Sequence, residues 1–178
     1  YRAFIRYTEK RRLYELSGTA AISETVTGIF IGAFLIGLTV IILAVSGFYR
    51  ITDFNSAIAI TDGFFRFGFG AFFEELLFRL IIFKLIEEFV GSWISLLISS
   101  ALFGFAHMFN ENATVWSAVA ITIEAGVLLA AAFMLTRRIW LALGLHFGWN
   151  FMQASVLGIT TSGISFNGLV ETEITGPV

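Results

Sequence analysis

Long apolar runs separated by short polar segments dominate the chain. The first of them, residues 25–49, contains no charged residue and is long enough to cross a bilayer as a helix. Four further runs follow it, so that the predicted spans cover residues 25–49, 64–89, 92–110, 113–136 and 139–159. The pattern therefore predicts an all-α polytopic transmembrane helix bundle with about five spans.

Between the first two runs, the polar residues 50–63 are predicted to form a loop, with room for a short interfacial helix at 57–60. The second run contains Gly68, Gly70 and Ala71, which lack large side chains. Small residues let the backbones of membrane helices approach each other, so we expect another helix to pack closely here.

The two ends of the chain differ from the apolar middle, which predicts three regions: residues 1–23, a helix bundle at 24–160 and a polar tail at 161–178. Because basic and apolar residues alternate in the first region, we expect an N-terminal helix that lies on an anionic membrane surface, or else a solvated helical lead-in. Seven of the eleven basic residues lie in this region or at 137–138. The positive-inside rule then predicts a cytoplasmic N-terminus.

Composition supports the assignment to membranes. The chain is 57% hydrophobic and 13% charged, whereas soluble domains carry about 25% charged residues. The formal net charge of −2 gives no support for a nucleic-acid partner. The absence of cysteine from the 178 residues excludes disulfides, a thiol nucleophile and thiolate metal ligands. The composition therefore predicts an integral membrane protein, with the lipid bilayer as its partner.

The second run holds three ionisable residues, Glu74, Glu75 and Arg79. Ionisable side chains at bilayer depth are costly and usually functional. Glu75 and Arg79 are four residues apart and share a helix face, which predicts an ion pair. Glu74 points about 100° away and has no local counter-charge, which favours a role as general base. The alternative is that both glutamates are interior polar groups that only join helices.

Both histidines of the chain, His107 and His146, lie in apolar runs. His146 and Asn150 share a helix face and present two donors toward one point, as a developing oxyanion requires, although Asn150 could instead join a neighbouring helix. His107, four residues after Phe103, is by itself equally consistent with a packing role. Glu124 has no basic neighbour within one turn, and we expect it to orient a histidine or to line a polar pocket.

Two other classes of intramembrane protease receive no support. Ser99, Ser100 and Ser117 lie in apolar runs, but none occupies a Gly-x-Ser-x-Gly elbow. An aspartyl protease would need two buried aspartates, whereas Asp53 and Asp62 fall in the predicted loop.

Three motifs carry a family resemblance: Glu74-Glu75-x-x-x-Arg79, Phe103-x-x-x-His107 and His146-x-x-x-Asn150. In this order, on successive apolar segments, they resemble the CPBP family, the CAAX protease and bacteriocin-processing group that is also called Abi. This family includes the type II CAAX prenyl endopeptidases. The motifs cover about half of the chain, and three in order are far more specific than one.

The resemblance implies an intramembrane glutamic endopeptidase without a cofactor. Glu74 and His107 would activate a water, and His146 and Asn150 would hold the oxyanion. The supporting residues expected around them are Glu75, Arg79, Phe103 and Glu124. The predicted spans place His107 near one end and His146 nearer the opposite side of the membrane. The motifs therefore meet only if the helices are staggered, tilted or shorter than predicted.

A zinc-dependent version of this peptidase remains the minority alternative, with Glu74, His107 and His146 as ligands. Histidine and glutamate side chains are suitable zinc ligands. The chain has no His-Glu-x-x-His pairing, however, so the metal-free mechanism is favoured.

The expected substrate is a membrane-delivered peptide or a lipidated protein C-terminus. A non-catalytic immunity or peptide-binding protein would use the same polar pocket and is the main alternative. A proton or ion carrier is less consistent, because the sequence lacks repeated or broken helices of the transporter type. The short loops and the absence of cysteine favour a prokaryotic plasma membrane. Since the first residue is Tyr rather than Met, we also expect the sequence to be a fragment.

Overall fold

The computed structural model describes residues 14–175, and in this range the chain forms five long helices. They are α1 (Ala21–Val45), α2 (58–90), α3 (Ser92–Phe109), α4 (Val115–Thr136) and α5 (139–156). Each of α2, α4 and α5 contains a π-helical stretch, at Leu76–Phe83, Thr122–Gly126 and Phe151–Val156 respectively. The all-α class is therefore confirmed. The predicted N-terminal surface helix lies almost entirely outside the described residues.

Three helical segments in the described part of the chain are long and apolar enough to cross a membrane: Gly18–Val45, Ser92–Phe109 and Val115–Thr136. The remaining two long helices, α2 and α5, are the ones that carry Glu74, Glu75, Arg79, His146 and Asn150. These polar residues reduce the mean hydropathy of the two helices, as expected where a bundle encloses a polar site. The protein is an integral membrane helix bundle, and the number of five spans remains a prediction.

Helices α1 and α5 pack closely through glycines on both sides. A Cβ atom placed at Gly28 or Gly32 would overlap the backbone of α5, and one placed at Gly144 or Gly148 would overlap the backbone of α1. Small residues at this spacing allow membrane helices to come into backbone contact. This contact holds α5, and with it His146, against the first helix.

The expectation of close packing at Gly68, Gly70 and Ala71 was wrong at the two glycines, whereas Ala71 is buried. A Cβ atom at Gly68 would meet only the Phe147 ring, at 3.8 Å, and one at Gly70 would meet only the Glu74 carboxylate, at 4.0 Å. No backbone approaches either glycine within 4 Å. Gly70 instead leaves open space on the face of α2 that leads to Glu74.

Ion pairs gather three parts of the chain at one end of the bundle. They join Lys84 to Glu15, Arg137 to Glu87 and Arg138 to Glu24. The segment before α1, the C-terminal end of α2 and the loop between α4 and α5 therefore lie together. This geometry places the N-terminal segment and the basic loop on the same side of the bundle.

A two-stranded antiparallel sheet lies at the other end. Strand β1 (Tyr49–Phe54) pairs with strand β2 (Val170–Ile174), with Tyr49 opposite Ile174 and Phe54 opposite Val170. The predicted loop at 50–63 was therefore wrong at 50–54, which belong to β1, whereas the helix expected at 57–60 is present as the start of α2. The pairing partner of β1 lies more than 100 residues later in the chain, so no local pattern indicated it.

Tyr49 connects this sheet to the end of α5. Its side chain is buried, and its hydroxyl donates a 3.0 Å hydrogen bond to the Leu157 carbonyl. Burial raises the pKa of the Tyr49 phenol, so the hydroxyl keeps its proton and remains a donor. The bond ties the sheet to the helix that carries His146 and Asn150.

Candidate active site

Glu74 lies in the middle of α2, one residue before a buried charge network. Its Oε2 atom is 3.7 Å from Nε2 of His107 and 3.8 Å from Nε2 of His146. This oxygen is buried and accepts no hydrogen bond, although 38% of the side chain is exposed. One carboxylate oxygen thus lies between two imidazole nitrogens that come from α3 and α5.

Glu75 bridges Arg79 and His146 in the interior of the bundle. Its Oε2 accepts a 2.9 Å hydrogen bond from Arg79 Nε, and its Oε1 accepts a 3.0 Å hydrogen bond from His146 Nδ1. Glu75 and Arg79 have no exposed side-chain surface. Because Nδ1 of His146 faces a carboxylate, it carries a proton, and the ring is held with Nε2 toward Glu74.

His107 is oriented by the backbone of its own helix. Its Nδ1 atom donates a 2.7 Å hydrogen bond to the Phe103 carbonyl, one turn earlier. A carbonyl can only accept, so the proton lies on Nδ1 and Nε2 is left facing Glu74. The α-helical part of α3 ends at Ala106, and a 3₁₀ turn begins at His107.

The Phe103 ring packs against three side chains of the site, those of His107, His146 and Arg79. Its centroid lies 4.8 Å from that of His107 and 5.7 Å from that of His146. The Arg79 guanidinium carbon lies 5.2 Å from the same centroid. Among the described residues, the two Nη atoms of Arg79 have no hydrogen-bond partner. The buried charge is therefore stabilised by this cation–π contact and by Glu75.

A cavity of about 350 Å³ opens beside these residues. Glu74, His107 and Asn150 all line it, together with Gly70 and Arg66 from α2. Asn150 is partly buried and follows His146 by one turn, as its spacing predicted. Three of the four expected catalytic residues therefore border this cavity, whereas His146 lines a second, smaller cavity that Asn150 also borders.

The motifs meet, although the predicted spans placed His107 and His146 toward opposite sides of the membrane. The C-terminal end of α3 and the middle of α5 both reach the middle of α2, which brings His107 and His146 to the same carboxylate.

Comparison with protein families agrees with this geometry. Residues 56–152, more than half of the chain, match the family described as type II CAAX prenyl endopeptidase Rce1-like. The chain belongs to the Rce1-like family. The matched region contains all three motifs, so the resemblance expected from the sequence is confirmed. Searches of curated proteins and of solved structures returned no match.

Membership of the Rce1-like family supports an intramembrane endopeptidase of the CAAX-protease type, which is a hydrolase. The membrane-type helices agree with this assignment. Helix α1 and the segment after α5 lie outside the matched region, although both contact the helices that carry the motifs.

Part of the cavity wall in this Rce1-like protein was not anticipated. Asn110 Nδ2 donates a 2.6 Å hydrogen bond to the Ser162 carbonyl, which folds the segment after α5 back over the site. Ser162 has a φ of 53°, in the left-handed region that is unfavourable for a residue with a side chain. Thr161, Ser162 and Ile164 line the cavity. Only a long-range contact places this segment here, and the sequence suggested only a polar tail.

Glu124 borders a different space. It lines a smaller cavity of about 100 Å³, which it shares with His146 and Asn150. It makes no hydrogen bond to either histidine, and the position beside Nδ1 of His146 is occupied by Glu75. Glu124 therefore does not orient a histidine, while its position in a polar pocket agrees with the second expectation.

The residues named for the zinc alternative lie close together. Within residues 14–175, no group of three or more histidine, aspartate or glutamate side chains is arranged to hold a metal ion. The Nε2 atoms of His107 and His146 lie 3.7 and 3.8 Å from Oε2 of Glu74, and independence from a metal stays a prediction. The aspartates Asp53 and Asp62 are exposed and do not line the cavity.

Proposed function

We propose that the protein is a metal-free intramembrane endopeptidase in which Glu74 is the general base. The observation that carries the proposal is the position of Glu74, whose Oε2 lies between Nε2 of His107 and Nε2 of His146 and whose side chain lines a cavity of about 350 Å³. Separations of 3.7 and 3.8 Å are too long for direct hydrogen bonds, so the carboxylate is free to accept a proton from a water that enters the cavity.

In the first step, Glu74 accepts a proton from this water while the water oxygen attacks the carbonyl carbon of the peptide bond. His107 positions the water, because its protonated Nδ1 leaves Nε2 as an acceptor toward the same point. The new C–O bond moves an electron pair onto the carbonyl oxygen and produces a tetrahedral oxyanion.

His146 and Asn150 stabilise this oxyanion. The Asn150 amide supplies one N–H donor, and His146 supplies the other when Nε2 is protonated. Glu75 supports that imidazolium through the hydrogen bond at Nδ1. Before the attack, ionised Glu74 and Glu75 balance the positive charges of Arg79 and His146; after Glu74 has accepted the proton, the oxyanion takes over its negative charge, which limits the cost of burying the cations.

In the second step, the carbonyl re-forms and the C–N bond breaks. Glu74 returns its proton to the leaving amine nitrogen, so that the carboxylate is ready for another water. The net reaction consumes one water and releases a new carboxyl terminus and a new amino terminus.

The proposed substrate is a membrane-delivered peptide or a lipidated protein C-terminus, in line with the prenylated substrates that the family description names. The cavity is walled by α2, α3 and α5 and by the segment after α5. No cofactor and no nucleic acid are required by this mechanism.

The proposal predicts that Glu74→Gln abolishes cleavage while the protein remains folded. Glutamine keeps the shape of the side chain but cannot accept the water proton, so kcat should fall by at least about 100-fold. The measurement is turnover of a fluorogenic hydrophobic peptide library in detergent micelles, with thermal unfolding recorded alongside. Glu88→Gln is the matched control, since Glu88 is an exposed glutamate on the same helix.

Retained turnover in Glu74→Gln would remove Glu74 from the role of base. A wild-type protein that binds peptides without cutting any of them would favour the immunity or peptide-binding function. The same assay with a chelator tests the zinc version. Activity that is lost with chelator and restored by zinc would overturn the metal-free mechanism.

A further inference from the structure

The smaller cavity, of about 100 Å³, adjoins the catalytic residues and is not used by the proposed mechanism. Helices α4 and α5 form most of its wall, and the segment after α5 borders it as well. Its polar lining residues are Glu124, His146, Asn150, Gln153, Thr161 and Ser162. Since a water molecule takes up about 30 Å³ in the liquid and needs about two to four polar partners, the cavity has room and partners for about three waters.

Glu124 is the only charged residue in the span Val115–Thr136, and it lies near the middle of that span. It is exposed, and in the described part of the chain it forms no ion pair and no side-chain hydrogen bond. A lone carboxylate at this depth is costly in contact with lipid and is tolerated where it faces water inside a bundle. The smaller cavity, which Glu124 borders, provides such a place.

The backbone of α4 changes its helix type at this position. Residues Thr122–Gly126 form a π-helical stretch inside the α-helix, and such stretches occur frequently at functional sites. The stretch packs closely against α3, because a Cβ atom at Gly126 would lie 2.8 Å from the Ser100 carbonyl oxygen, and one at Gly104 would overlap the first residue of the stretch. Helix α3 therefore fixes the backbone on both sides of Glu124 and holds the carboxylate beside the cavity.

The two cavities share part of their walls. Asn150, Thr161 and Ser162 line both of them. His146 borders the smaller cavity, while its Nε2 atom lies 3.8 Å from Oε2 of Glu74. Water held in the smaller cavity therefore reaches the catalytic groups without crossing the larger cavity, where the peptide is proposed to bind.

Hydrolysis gives this arrangement a use, because each turnover consumes one water. A peptide in the larger cavity displaces water from it and obstructs that route to the catalytic residues. Building on the proposed function, we infer that the smaller cavity is a water-binding site that supplies the hydrolytic water, with Glu124 as the positioning residue that keeps it hydrated. The carboxylate acts by accepting hydrogen bonds from these waters.

Hydration of the smaller cavity can be measured without activity, because Trp149 lines it. Tryptophan is replaced throughout by 5-fluorotryptophan, and Trp149→Phe identifies the fluorine NMR signal of Trp149. In the wild type this signal should shift when H₂O is exchanged for D₂O, and the shift should be lost in Glu124→Leu. It should persist in Glu74→Gln saturated with peptide, where the larger cavity is occupied.

Ala125→Leu tests the cavity with Glu124 intact. Ala125 lines the cavity one residue after Glu124, so a larger side chain there displaces water. Ala131→Leu is the matched control, since Ala131 is exposed on the same helix and lines neither cavity. The fluorine shift should be lost in Ala125→Leu and retained in Ala131→Leu, with thermal unfolding recorded to show that both proteins are folded.

Turnover of hydrophobic peptides in detergent micelles gives the second readout. Glu124→Leu and Ala125→Leu should lower kcat by about tenfold, the effect of losing one hydrogen bond to the water, with KM within about twofold of the wild type. Glu124→Gln still forms hydrogen bonds with water and should keep most of kcat. Glu88→Leu controls for the removal of a carboxylate, because Glu88 is exposed and lines neither cavity.

A wild-type fluorine signal that is the same in H₂O and D₂O would overturn the hydrated cavity. A shift that disappears when peptide binds would overturn its role as a water supply. Equal loss of kcat in Glu124→Gln and Glu124→Leu would show that the charge is required rather than hydration, and a raised KM with unchanged kcat would assign Glu124 to substrate binding. A wild type that cleaves no peptide but shows the Glu124-dependent shift would overturn the proposed peptidase and leave the water-binding site supported.

Discussion

At the scale of single residues, Glu75 connects α2 with α5 in the interior of the bundle. It pairs with Arg79 on its own helix and holds the His146 ring through Nδ1. The i,i+4 spacing predicted the first contact, while the second depends on the packing of α5 against α2. Glu75 is thus a positioning residue, since it acts on the proposed oxyanion site through His146.

Glu75→Gln is expected to damage both stability and activity. Removal of the negative charge leaves Arg79 buried without a counter-charge, which costs about 3–5 kcal/mol in comparable buried pairs. The measurement is thermal unfolding in detergent together with peptide turnover. Glu88→Gln again serves as the control, and a Glu75→Gln protein as stable as this control would contradict the role given to the network.

At the scale of secondary-structure elements, the site depends on the position of α5 relative to α1 and α2. Gly28 and Gly32 on α1 meet Gly144 and Gly148 on α5 with backbones in contact. His146 lies between the two glycines of α5, on the part of the helix that this contact holds. Helix α1 therefore supports the site although it contributes no residue to the motifs.

Gly32→Leu should disrupt this contact, because even a Cβ atom at Gly32 would overlap the α5 backbone. We expect a lower unfolding temperature and a loss of activity of about tenfold to 100-fold, since displacements of about 1 Å have effects of this size. Gly37→Leu is the control on the same helix, where nothing lies within 4 Å of a Cβ atom. Equal effects of both substitutions would show that the glycine contact does not position α5.

At the scale of the whole molecule, the two ends of the bundle differ. One end holds the ion pairs that connect the segment before α1 with the loop at 137–138. The other end holds the two-stranded sheet and the segment with Ser162 that borders the catalytic cavity. If the N-terminus is cytoplasmic, as the distribution of basic residues predicts, the cavity opens toward the opposite side of the membrane.

Single cysteines can test this arrangement, because the 178 residues contain none. Thr19→Cys and Glu111→Cys introduce exposed thiols at the two ends of the bundle. In sealed cells, a membrane-impermeant maleimide should label Glu111→Cys and leave Thr19→Cys unlabelled until the membrane is opened. Labelling in the reverse order would contradict the predicted orientation, and labelling of both from one side would contradict the separation of the two ends.

The sequence by itself determined the membrane class, the helical fold and the motif residues of the site. Those features follow from local physics: long apolar runs require helices in lipid, and a charge in such a run requires a partner or a function. Spacings of four residues predicted which motif side chains share a helix face. Family membership followed from the order of the motifs.

Only the tertiary structure decided which groups meet across helices. Three contacts join residues that are distant in the chain. They are the hydrogen bond of Glu75 with His146, the glycine interface of α1 and α5, and the pairing of β1 with β2. The same holds for the Asn110 bond that brings Ser162 to the cavity. Such contacts depend on helix stagger and packing, and the periodicity of a single helix contains no information about either.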